Sequence, residues 1–294
     1  MEIVQRPKVL FIGNGVYYNK NFDWSEVIEK YVGNSSFSGL SDTVPNTIKV
    51  LPADTKLKKH KARIEEAFSN YQYLSNPDFM KFLEQSTIDT IITSNFTYDI
   101  ENDLDKKFLG IKDKRAKYSR STAKRKDKKY LIKTYNLIDG CFDKKKTVRV
   151  WHMHGELRNS DSIILSHDAY GGLVGKITNY ISSKYTNKQD KFEYDSWIDY
   201  LIYADVFFIG FGLDYSEFDL WWLINKRMKT PNHGEMYFYY PITDDVIEER
   251  LKLLQCFDVK VESFGGKKKD IDYNKFYNKA YKNINDICND KTNI

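Results

Sequence analysis

The sequence predicts an α/β fold: a mostly parallel sheet with helices on both faces. Three observations carry that expectation. Short apolar, β-branched or aromatic runs alternate with longer helix-patterned stretches along the 294 residues. A glycine turn, Gly13-Asn14-Gly15, follows the first of those runs. Asn95 and His154 each stand just beyond a later run. Neither is needed for folding there, and the carboxyl ends of strands are where open α/β sheets bind ligands.

In chain order, residues 8–12 read as a strand and 25–32 as a helix. Residues 59–73 and 78–85 also pattern as helices, the second opened by Pro77 in the first-turn position that tolerates proline. Residues 90–93 form a short buried strand, followed by a helix over 99–108. Residues 130–138 and 147–151 are strand-like, with a further short strand at 162–165. Helices follow at 170–184 and 194–203, then a fully apolar strand at 206–209. The helix at 217–228 has Phe218, Trp221, Trp222 and Ile224 to bury. A strand at 236–240, a helix at 244–255, a strand at 259–262 and a helix at 273–288 complete the pattern. The tail after Asp286 is expected to fray. No internal repeat interrupts the order, so a single domain over 1–294 is expected.

Composition narrows the class. At 41% hydrophobic and 30% charged residues the chain suits a soluble globular protein with a sizeable core. No apolar stretch approaches the ~20 residues of a membrane span, and the first seven residues lack the basic start and apolar centre of a signal peptide. A cytoplasmic location and no membrane partner are therefore expected. The three cysteines, Cys141, Cys256 and Cys288, are far apart and include no C-x-x-C pair, which argues against a zinc ribbon and a disulfide framework. No metal site is expected.

Charge is unevenly placed. The stretch 106–133, from Lys106 to Lys133, holds 13 Lys or Arg against two Asp, a net of +11, leaving −6 on the remainder of a chain whose total is +5. Such a basic insertion could bind nucleic acid or another polyanion, or be only a solvated segment.

The glycine turns admit two readings each. Gly13-Asn14-Gly15 lets backbone approach a phosphate with amide hydrogens pointing at it, so a valine at Gly13 should weaken ligand binding. The third glycine of G-x-G-x-x-G is missing, because Tyr18 stands there, and a plain turn fits equally well. Gly210-Phe211-Gly212-Leu213-Asp214 repeats the theme after a later strand. Asp214 could accept hydrogen bonds from ribose hydroxyls, or cap the helix that follows or close a loop turn, since Ser216 and Glu217 come next.

Read together and in order, Gly13-Asn14-Gly15, Thr93-Ser94-Asn95-Phe96, Met153-His154-Gly155-Glu156 and Gly210-Phe211-Gly212-Leu213-Asp214 resemble the sirtuin-like family, in its branch of bacterial NAD hydrolases of antiphage defence. The segment 162–170 and the stretch 213–219 with Trp221 and Trp222 fit the same pattern, so the resemblance covers most of the chain. It implies a Rossmann-like sheet that binds NAD as substrate rather than as cofactor. It places Asn95 and His154 in the active site, with Gly13, Asn14, Gly15, Ser94, Gly210, Gly212 and Asp214 around the dinucleotide. The departures are equally specific. The four-cysteine zinc module of the deacylases cannot be built here. Thr97 stands where members often have Asp, with Asp99 further on. Gly212 replaces a common hydroxyl residue, and the basic insertion lies outside the pattern.

Cleavage of the bond between nicotinamide and ribose passes through an oxocarbenium-like centre, so the protein must hold the ribose and position water. Asn95 can donate and accept without titrating. A histidine near neutrality can take a proton from a ribose hydroxyl or from water, the role expected of His154. His152 is the second choice, while His167 and His233 lack a comparable context. Against these stand the bland alternatives: Asn95 as the cap of the helix near Asp99, and His154 as an interior histidine held by backbone groups. The expected function is an NAD glycohydrolase, a cell-suicide effector controlled by self-assembly or by a separately encoded sensor. The alternatives are a non-catalytic NAD- or ADP-ribose-binding signalling module and a nucleic-acid-binding protein working through 106–133.

Overall fold

Alternation within the strands builds two cores. Val9 and Phe11 of β1 (Lys8–Ile12), Val206 and Phe208 of β5 (Asp205–Ile209), and Phe238 of β6 (Met236–Tyr239) face one cluster. Leu10, Ile12, Phe207, Ile209, Tyr237 and Tyr239 face the other. A strand buried on both faces needs apolar residues at successive positions, and these runs supply them. A computed structural model of the chain describes residues 6–17, 24–33, 45–50, 57–105, 127, 129–144, 146–185, 192–241, 245–264 and 271–289. Of the basic insertion, only Asp127 and residues 129–133 fall within that set.

The sheet has seven strands in the order β3-β4-β2-β1-β5-β6-β7, adding β2 (Thr90–Thr93), β3 (Asn136–Gly140), β4 (Lys146–His152) and β7 (Lys260–Glu262). All pairs are parallel except β3 with β4. Leaving out that antiparallel edge, the order is the doubly wound one of Rossmann-like sheets, with the strand order reversing between β1 and β5.

Helices cover both faces, as expected. On the first lie α7 (His167–Tyr185), α8 (Trp197–Tyr203), α9 (Phe218–Met228) and α10 (Asp245–Cys256). On the second lie α4 (Pro77–Gln85), α5 (Asp99–Leu104) and α11 (Tyr273–Asn289). Three more helices are α1 (Trp24–Val32), α2 (Asn46–Lys49) and α3 (Leu57–Ala67); α1, α3 and Val50 at the end of α2 form a third cluster with Phe96, Ile163 and Leu165. A single turn, α6 (Cys141–Lys144), joins β3 to β4, with Phe142 and Asp143 in the left-handed region.

Several boundaries differ from expectation. Residues 162–165 are not a strand: a 3-10 turn, Ser160–Ser162, runs into extended chain held by one bond from Ile164 N–H to the His154 carbonyl. β3 starts only at Asn136, because Tyr130 packs its hydroxyl against Gly172 of α7 instead of entering the sheet. The helix expected from 59 to 73 stops at Ala67. Tyr71, Tyr73 and Ser75 beyond it donate hydrogen bonds to Asp99 and Asp103 around α5. The expected fraying after Asp286 does not occur before Asn289, since Ile284 and Cys288 are buried on the sheet. No helix among the described residues is long and apolar enough to cross a membrane.

Candidate active site

The crossover between β1 and β5 brings the two glycine turns into contact. Gly13 N–H donates to the Ile209 carbonyl at 3.0 Å and Gly15 N–H to the Gly210 carbonyl at 2.9 Å. A Cβ at Gly13 would lie 2.3 Å from the Gly210 carbonyl oxygen, so no side chain fits. This corrects the expected use of the loop. Two amides that the sequence offers to a phosphate are bound to the neighbouring turn, and a valine at Gly13 would force the turns apart before touching a ligand. Gly212 differs: no atom lies within 4 Å of a Cβ built there. Gly212→Val should therefore fold normally and, by filling space beside the turn, weaken by ~10-fold or more the binding of a ligand that lies across it. Calorimetric titration tests this, and an unchanged affinity would remove Gly212 from the binding surface.

A cleft of about 1040 Å³ opens above this crossover, at or above the ~300–1,000 Å³ of small-molecule sites. All nine residues singled out from the sequence line it: Gly13, Asn14, Gly15, Ser94, Asn95, His154, Gly210, Gly212 and Asp214. Tyr170, Glu217, Tyr240 and, from α11, Tyr277 add to the wall. Among the described lining residues there is no Lys or Arg, whereas Asp78, Asp214, Glu217 and Asp272 are carboxylates. No group of three His, Cys, Asp or Glu among the described residues is arranged to hold a metal.

Asn95 is placed by the end of β2. Thr93 Oγ1 donates to the Ile12 carbonyl at 2.8 Å and accepts from Asn95 N–H at 3.1 Å, turning the chain out of the sheet. The Asn95 carbonyl is held by His152 Nδ1 at 2.7 Å. Its side chain caps nothing: the residue before α5 is Tyr98, which makes no side-chain cap bond. Among the described residues the Asn95 carboxamide has no hydrogen-bond partner, and it faces the cleft.

His154 is buried and pairs through Nε2 with Asp219 Oδ2 at 2.9 Å. The Tyr170 hydroxyl lies 3.5 Å from Nδ1. A proton on Nε2 donated to Asp219 leaves the Nδ1 lone pair beside Tyr170 at the cleft. Burial alone would lower this pKa, but the Asp219 carboxylate more than offsets it and the net shift is upward. Gly155 makes the turn possible: its φ is +101°, and a Cβ would lie 2.2 Å from the Ser162 carbonyl oxygen.

His152 does not serve as the second base. Both nitrogens are occupied, Nδ1 by the Asn95 carbonyl and Nε2 by Glu101 Oε1 at 2.7 Å. It holds the main chain of Asn95 from behind. Thr97 and Asp99 are also turned inward, Thr97 Oγ1 donating to Asp99 Oδ2 at 2.6 Å. Asp214 does not cap α9, whose N-cap is Glu217; its Oδ1 accepts from Ser216 N–H at 2.8 Å as a turn residue at the cleft wall. The extended segment at 162–165 contributes Ile164 and Leu165 to the wall.

Sequence reasoning missed Asp219 and Glu217. Their spacing at the start of α9 is legible, but nothing local pairs residue 219 with residue 154. Burial pushes the Glu217 carboxyl up to about 7, with His154 drawing it down and Asp219 raising it further. The folded chain thus binds this proton more tightly than the unfolded chain does. Stability should fall as pH rises from about 4.5 to about 7. The full shift would be worth ~3 kcal/mol at 1.36 kcal/mol per unit. Access from the cleft reduces it, so Glu217→Gln should be more stable than wild type at pH 8 by about 1–2 kcal/mol and nearly equal at pH 5. Denaturant melts at the two values check this; equal losses at both would show that Glu217 is not strained by its charge.

No family model matches the chain, and no curated protein matches it. The fold and cleft define an α/β protein with a doubly wound sheet and a polar site at its crossover.

Proposed function

We propose that the chain is a sirtuin-like NAD glycohydrolase, releasing nicotinamide and ADP-ribose. One observation carries this: an Asn95 carboxamide without a hydrogen-bond partner among the described residues and a carboxylate-held His154 line one dinucleotide-sized cleft at the sheet crossover. Cleavage needs the ribose held and its developing positive charge stabilised. His154 Nδ1 can accept from a ribose hydroxyl in its neutral form, and Asn95 can orient water or ribose. A cleft rich in carboxylates suits the cationic nicotinamide ring of oxidised NAD. The resemblance extends the reading to a cell-suicide effector of antiphage defence, active once assembled with itself or with a separately encoded sensor.

The test is a mass-spectrometric product assay on NAD with the wild type and Asn95→Ala. Nicotinamide with ADP-ribose supports hydrolysis. A cyclic product or a modified protein redirects the chemistry, and binding without turnover makes the chain a signalling module. Light scattering alongside activity reads the assembly, and full-rate cleavage by an isolated monomer, whatever its concentration, would sink that part.

A further inference from the structure

We propose that Glu217 is a second catalytic residue of this site, the base that takes the proton from the attacking water. The inference rests on the NAD-cleavage reading above.

The geometry comes first. Glu217 stands where the turn after β5 enters α9, on the wall of the cleft that holds Asn95 and His154. Its Oε2 accepts from Asp214 N–H at 3.0 Å, which orients the carboxylate and leaves Oε1 for a ligand. Two residues on, Asp219 points inward and binds His154. One helix start therefore supplies both the carboxylate that holds the histidine and a second carboxylate at the cleft surface. The groups facing Glu217 are His154 from the end of β4, Tyr170 from α7, Asp219 from α9 and Asp214 from the preceding turn.

The chemistry divides accordingly. His154, paired with Asp219, keeps its proton to higher pH than an ordinary imidazole, which makes it a poor acceptor for water at neutrality. Its Nδ1, with only the long 3.5 Å contact to the Tyr170 hydroxyl among the described residues, serves a ribose hydroxyl in the neutral fraction. Glu217 ionises near neutrality, where a general base works best. In the step, the C1′–N bond to nicotinamide breaks and its electron pair neutralises the ring nitrogen. The water oxygen bonds to C1′, and its proton passes to the Glu217 carboxylate. Carboxylate near C1′ also stabilises the positive charge that develops there.

The experiment compares wild type with Glu217→Gln, which keeps the acceptor for Asp214 N–H. Hydrolysis should fall by ~10²–10³-fold, while NAD affinity is retained. The acid limb of log kcat/KM against pH should drop from a slope of about two to about one, because one of its two ionisations is gone. Azide, a nucleophile that arrives without a proton to lose, should restore turnover in the variant and give azido-ADP-ribose. Loss of rate with an unchanged slope and no azide rescue would mark Glu217 as structural and overturn the proposal. So would a wild-type rate and profile in the variant; in both cases the NAD-cleavage reading stands. A wild-type chain that cleaves no NAD would overturn both.

Discussion

Asn95→Ala is expected to lower NAD cleavage by ~10²–10³-fold, the usual effect of removing one preorganised hydrogen-bonding group from a transition state. The thermal midpoint should stay close to wild type. The carboxamide has no partner among the described residues, so truncating it strands nothing. The main chain is held independently of it, by Thr93 Oγ1 at 3.1 Å and by His152 at 2.7 Å. A rate measured at saturating NAD, together with circular dichroism, separates chemistry from folding. Wild-type turnover in a folded Asn95→Ala chain would take this residue out of the mechanism.

His154→Ala is expected to cost more, in two quantities at once. Activity should fall by ~10²–10⁴-fold, and stability should also drop. Asp219 has no exposed surface, its Oδ1 lacks a hydrogen-bond partner among the described residues, and its Oδ2 depends on His154. Removing one partner of a buried pair leaves an uncompensated charge, worth about 3–5 kcal/mol. Adding Asp219→Asn to His154→Ala removes that charge. The double variant should recover much of the stability and none of the activity. If it recovered neither, the loss in His154→Ala would have another source. If His154→Ala alone were active, the histidine would be structural.

The fold was largely legible because it depends on local chemistry. Residues 9–12 are apolar at successive positions, and Ile91 and Ile92 stand between the β-branched Thr90 and Thr93; the strands expected over 8–12 and 90–93 appear as β1 and β2 with those bounds. Pro77 marks the first turn of α4, with Asn76 accepting from Phe79 N–H as its cap. Errors arose where a tertiary contact overrode a local pattern. Residues 130–135 have strand-like composition but are drawn against α7, and 162–165 is apolar because it lines the third core and the cleft. The candidate site divides in the same way. Asn95 and His154 could be found because strand ends are visible in sequence. The partners that fix their chemistry could not: Asp219 lies 65 residues from His154, and Glu101 lies 51 from His152. The glycines were found for a reason that proved incomplete. Gly13 is small because Gly210 presses on it, and of the four glycines in the two turns only Gly212 has space to spare.

Helix α11, which follows all seven strands in the chain, sets the order in which this protein becomes competent during its synthesis. α11 buries Phe276, Ala280, Tyr281, Ile284 and Cys288, and Tyr277 and Tyr281 complete one wall of the cleft. Its end is tied to the first strand, where Lys8 Nζ donates to the carbonyls of Ile287 and Cys288 at 3.2 and 2.9 Å. A ribosome makes chains from the amino end at ~5–20 residues per second. Every strand, both glycine turns, Asn95 and His154 therefore leave it before α11 does. Until that helix docks, one wall of the cleft is missing and the face of the sheet that α11 shares with α4 and α5 is only partly covered. A chain released early, by a stalled ribosome or a premature stop before α11, thus lacks a finished site, and whatever reaction the cleft supports begins only once synthesis has passed that helix.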